Sequence, residues 1–67
     1  MKKQITYVIV NKEGQMYSGA TTDHLWWTNF ISNATLFETE YLANKTNKNN
    51  EINGTVMRMK YTLERLE

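Results

Sequence analysis

Residues 25–37, LWWTNFISNATLF, decide how this chain folds. Trp27, Phe30, Ile31 and Ala34 fall at i, i+3, i+4 and i+7, the spacing of one helical face. Thr21-Thr22-Asp23 stands just upstream, and such short oxygen-bearing side chains cap the free N–H groups of a helix start. The spacing therefore predicts a short helix from about residue 25, followed by an extended link at 34–37. If the same residues were extended throughout, an SH3-like small barrel would replace the helical reading.

Upstream, residues 4–10 read as a strand, rich in β-branched and aromatic side chains with no breaker. Ile5, Tyr7 and Ile9 share one face; Thr6, Val8 and Val10 share the other. Both faces are largely apolar, as in a central strand. Asn11-Lys12-Glu13-Gly14 is a turn, because Asn binds the following backbone and Gly14 accepts a positive φ. Residues 15–19 return as a second strand, so 4–19 is predicted to be a hairpin.

Downstream, two caps compete for a second helix. Thr35 with Glu38 matches a capping box, and Thr39 suits a later start. Either places Tyr41, Leu42 and Ala43 inside the helix. From Asn44 the chain turns polar, and residues 44–54 are expected to be a frayed helix end and a mobile polar loop closed by Gly54. Residues 55–63 alternate cleanly. Met57, Met59, Tyr61 and Leu63 are expected on the core face, with Arg58, Lys60 and Thr62 on a solvated face. The predicted fold is α+β: a three-stranded, mainly antiparallel sheet with one or two short helices packed on one face, in the order β-β-α-(α)-β. Its expected core is Ile5, Tyr7, Ile9, Phe30, Phe37, Leu42, Met57, Met59 and Tyr61.

At 67 residues the chain is read as a single small domain, residues 1–67, near the lower size limit for one core. It has no cysteine and one histidine, His24, so no disulfide or zinc site reinforces it. No cofactor is expected. Self-association as a homodimer would extend so small a core. The net charge of +1 argues for no general attraction to nucleic acid or an anionic membrane. Lys2 and Lys3 precede a run at 5–10 too short and too β-branched for a signal peptide, so a cytosolic location is expected. The N-x-T sequons at Asn33, Asn44 and Asn53 then read as accidents of an Asn- and Thr-rich chain. Leu66-Glu67 resembles a C-terminal tag remnant.

Catalytic constellations are weak. Asp23-His24 beside Ser18 and Thr22 reads as a cap followed by a surface histidine, since neighbours in sequence diverge on a helix. Glu38 and Glu40 suit a helix start, where carboxylates complement the dipole. Lys2, Lys3, Arg58 and Lys60 form the alternative, a basic strand face for single-stranded nucleic acid. On the predicted alternation Tyr61 and the methionines face away from Arg58 and Lys60, which weakens that reading. Trp26 and Trp27 point about 100° apart on a helix, so they cannot enter one core together. An exposed tryptophan would mark a partner surface.

The order Tyr7-Val8-Ile9-Val10-Asn11, Gly14, Tyr17-Ser18-Gly19, Trp27, Ala34-Thr35-Leu36-Phe37 and Ala43, closing on a strand, resembles short accessory proteins of phages and prophages of Gram-positive bacteria. That resemblance implies a non-enzymatic protein of the bacterial host cytosol that acts by binding a host or phage protein. It transfers no functional residue, and the acidic surface of DNA-mimicking inhibitors is missing. The expected contact is Trp26 or Trp27.

Overall fold

The computed structural model describes residues 2–63, with side chains for 5–60. Five main elements follow in order: β1 (Lys2–Val10), β2 (Met16–Ala20), β3 (Leu25–Thr28), α1 (Glu40–Asn49) and β4 (Thr55–Leu63). One 3-10 turn, Ile31–Asn33, lies between β3 and α1. The antiparallel sheet has four strands in the order β3-β2-β1-β4, and it stays open with β3 and β4 as its edges. The α+β class is as expected; the strand count is corrected from three to four.

That correction comes from residues 25–37. Leu25–Thr28 is a strand, and the first predicted helix is absent. Thr21-Thr22-Asp23 serves a chain reversal instead of a helix cap, with the Thr21 N–H donating to the His24 carbonyl at 2.9 Å. Pairing with β2 satisfies the backbone groups of Leu-Trp-Trp-Thr that face it, in residues that favour a pleated, half-buried surface. The helical spacing was a coincidence of composition. Trp27 and Ala34 are half-buried, but Phe30 and Ile31 are exposed, at 66% and 44%.

The β1–β2 turn forms as read. The Asn11 carboxamide oxygen accepts from the N–H groups of Glu13 and Gln15 at 3.0 and 2.8 Å, and Gly14 takes φ +82°. Beyond the turn the hairpin is shorter than expected, because Val10 and Met16 are the paired residues and the strands then part. Residues 35–37 fill the gap. The Thr35 N–H donates to the Tyr17 carbonyl at 2.9 Å, and Phe37 exchanges two 2.9 Å bonds with Tyr7. The Thr6 hydroxyl, itself buried, adds a bond to the Phe37 carbonyl. The extended link thus ties the middle of the sheet together.

Of the two competing caps, Thr39 is the one used; its hydroxyl accepts from the Leu42 N–H at 3.1 Å. Of the polar run at 44–54, the helix end extends through residues 44–49, which continue α1. Asn and Lys side chains sit on its solvent side while Ala43 is fully buried. The turn that follows is tied down by Asn47, whose carboxamide bonds both the N–H and the carbonyl of Gly54, at 3.0 and 2.9 Å. Ile52 is thereby held in the core.

The core centres on Ile9, Tyr17 and Ile52, with Leu25, Trp27, Phe37 and Val56 packed around them. Several expected core residues lie outside it: Ile5, Phe30, Leu42 and Met57 are exposed, while Tyr7 and Met59 are half-buried. The Tyr61 side chain and Leu66-Glu67 fall outside the described residues. Strand β4 pairs with all of β1, from Val10 opposite Thr55 to Lys2 opposite Leu63. Its faces are the reverse of the expectation. Val56, opposite Ile9, enters the core, so Arg58 stands on the helix side of the sheet and Met57 on the outer side.

Candidate functional site

Alternation along β3 separates the two tryptophans. Trp27 turns inward, its ring edge-on to Tyr17 with centroids 6.2 Å apart. Trp26 turns to the opposite, outer face, 45% exposed, with the His24 ring standing edge-on at 4.6 Å. A strand's two-residue period, rather than a helix's, is what puts one tryptophan in the core and the other outside.

The same face carries two more exposed apolar side chains. Met57 lies opposite Val8 on β4 and is 50% exposed. Leu36, 46% exposed, precedes Phe37, which shares the helix side with its bridge partner Tyr7. Alternation therefore turns Leu36 outward. Trp26, Leu36 and Met57 span the outer face across three to four strand spacings, roughly 14–19 Å. Met16 and Val10, half-buried, share that face. Leu36 and Met57 escaped the sequence reading; the first was placed in a link and the second in the core.

The cations are elsewhere. Arg58 and Lys60 are exposed on the helix side, opposite Tyr7 and Ile5 respectively. Tyr7, Val56, Arg58 and Glu40, the first residue of α1, line a shallow cleft. An acidic side chain thus shares this cleft with Arg58, which lowers the local positive potential for a polyanion. Lys2 and Lys3 stand opposite Leu63 and Thr62 in register, and their side chains lie outside the described residues. The pairing of first and last strands on which the basic-face reading depended is present. Met57 and Met59 face away from Arg58 and Lys60, as the alternation predicts, while Tyr7 of β1 shares a face with Arg58.

Asp23 and His24 lie exposed in the β2–β3 turn. With Thr21, Thr22 and residues 49–51 they line an open groove of about 710 Å³ at the carboxyl end of α1. Ser18 is half-buried, at the register shift between Tyr17 and Gly19 where β2 pairs with β3. Glu38 and Glu40 are both exposed at the start of α1. No set of three His, Cys, Asp or Glu side chains among the described residues is grouped to hold a metal ion. No helix among them is long and apolar enough to cross a membrane. No family model matches the chain, and neither a curated protein nor a solved structure matches it.

Proposed function

We propose that this chain is a non-enzymatic accessory protein that binds another protein through the outer face of its sheet, with Trp26 as the anchor. The observation that carries this reading is the exposure of Trp26 beside Leu36 and Met57 on a face where the described side chains of β1, β2 and β3, residues 5 onward, carry no charge. Tryptophan in an apolar, weakly charged setting is the composition of a protein-binding hot spot. Isolated exposed apolar residues are ordinary; here three share one face, with the half-buried Val10 and Met16 on it as well. The phage or prophage setting in a bacterial cytosol rests on the resemblance of the strand, turn and link residues described above. The partner is then a host or phage protein with an apolar docking surface. A homodimer through the same face is the self-binding version of this proposal.

Nucleic-acid binding through Lys2, Lys3, Arg58 and Lys60 is the second reading, supported by the exposed Arg58 and Lys60 on one ribbon face. One experiment separates the two. The wild type, Trp26→Ala, Met57→Lys and the Arg58→Glu/Lys60→Glu double variant are used as bait in a Gram-positive cytosol treated with nuclease. The protein-binding reading expects a captured protein that is lost with Trp26→Ala and Met57→Lys and retained by the double variant. Capture unaffected by the first two, together with salt-sensitive oligonucleotide binding abolished in the double variant, would transfer the function to the basic face.

A further inference from the structure

Asn53–Gly54 is the one Asn-Gly step in the sequence. It closes the turn between α1 and β4, with Asn53 exposed and at φ +59°. Asparagine before glycine is the step at which a side-chain amide is most open to attack by the next backbone nitrogen, because glycine has no Cβ to hinder the approach. In this fold the attacking group is engaged. The Gly54 N–H donates to the Asn47 Oδ1 at 3.0 Å, and the Asn47 Nδ2 donates to the Gly54 carbonyl at 2.9 Å. The Gly54 Cα is also hemmed in: a Cβ there would run into the Ile9 Cγ2 and lie 3.1 Å from the Val10 carbonyl oxygen. Turning the Gly54 nitrogen toward the Asn53 side chain breaks its bond to Asn47 and moves the residue next to Ile52, which is 6% exposed.

We propose that Asn53 is a conditional deamidation site, held inert in the native fold by Asn47 and released when the 50–54 turn opens. In the reaction the Gly54 nitrogen loses its proton to solvent base and bonds to the Asn53 Cγ. The Cγ–Nδ2 bond breaks, and the nitrogen takes up a proton and leaves as ammonia. Water then opens the five-membered imide at either carbonyl, leaving aspartate or isoaspartate and one added negative charge. Isoaspartate lengthens the main chain by a methylene beside Gly54, so the Asn47 clamp cannot close on it as before. Each opening of the turn that ends in reaction is therefore recorded covalently, and the altered turn opens more readily.

The test follows deamidation of residue 53 by peptide mass spectrometry, with isoaspartate distinguished by fragmentation. The wild type is incubated at mildly alkaline pH, folded in buffer and unfolded in guanidinium chloride. Reaction only from an opened turn makes the folded rate slower by about tenfold or more. Asn47→Ala, shown by circular dichroism to be folded, is expected to react faster than folded wild type. Asn47→Asp keeps an acceptor for the Gly54 N–H and is expected to fall between wild type and Asn47→Ala; it also serves as the readout if Asn47→Ala does not fold. Equal rates in folded and unfolded wild type would overturn the proposal. So would a folded Asn47 variant that reacts no faster than wild type.

Discussion

Asn47 does its work through two bonds to one glycine. Both are partly shielded from water, and losing them leaves the Gly54 N–H and carbonyl without partners. Asn47→Ala should lower stability by about 1–3 kcal/mol, the cost of unsatisfied buried polar groups, measured by urea unfolding. Gly54→Ala should cost a similar amount, about 1–3 kcal/mol, because the new methyl runs into Ile9, which is fully buried. The glycine was legible as a terminator of the polar run, but its close approach to Ile9 was not. Nothing local to INGT records what lies across the turn. The tryptophans make a second residue-scale contrast. Trp27→Ala removes an aromatic packed on Tyr17 and should cost about 2 kcal/mol or more, while Trp26→Ala should cost less than half as much. Chemical unfolding of the two variants checks the order; equal losses would contradict the placement of Trp26 on the outer face.

At the scale of elements, local signals were reliable where one interaction dominates. The Asn11–Gly14 turn closes on its own side chain, and α1 begins where a threonine hydroxyl meets the Leu42 N–H. Thr39→Ala should therefore lose about 1 kcal/mol with reduced helical circular dichroism, whereas Thr35→Ala should leave α1 intact. A larger effect at Thr35 on helicity would contradict the cap assignment. Residues 25–28 were misread because a four-residue strand carries too few alternations to outweigh an accidental 3–4–7 spacing. What selects the strand is a partner, β2, whose free edge lies one short turn upstream. Likewise nothing in Ala-Thr-Leu-Phe announces that the segment fills the opening between β1 and β2. That opening exists only once both strands are placed.

At the scale of the molecule, the β1–β4 ribbon is longer than the body that covers it. Nine residues per strand span about 30 Å, whereas the ten residues of α1 span about 15 Å, which leaves Ile5 half exposed and Lys60 in solvent. The core is correspondingly small, and its fully buried large side chain is Ile9. Ile9→Ala should cost about 2–5 kcal/mol, comparable to the whole stability typical of a domain this size. Loss of the cooperative thermal transition is the expected outcome; a shift of only a few degrees would show that the core lies elsewhere.

The sequence by itself determined the α+β class, the Asn11–Gly14 turn, a helix containing Tyr41 to Ala43, and a last strand able to pair along the whole of the first. Each of these follows from local chemistry: a side chain that closes its own turn, an oxygen that caps, an unbroken period of two. Tertiary structure alone decided which faces are covered. The period of two says that Val56 and Met57 point apart, but only the position of α1 and Ile52 determines that Val56 is the one enclosed. For the same reason Trp26, Leu36 and Met57 became an outer surface only after the sheet had formed, since exposure depends on neighbours distant in sequence.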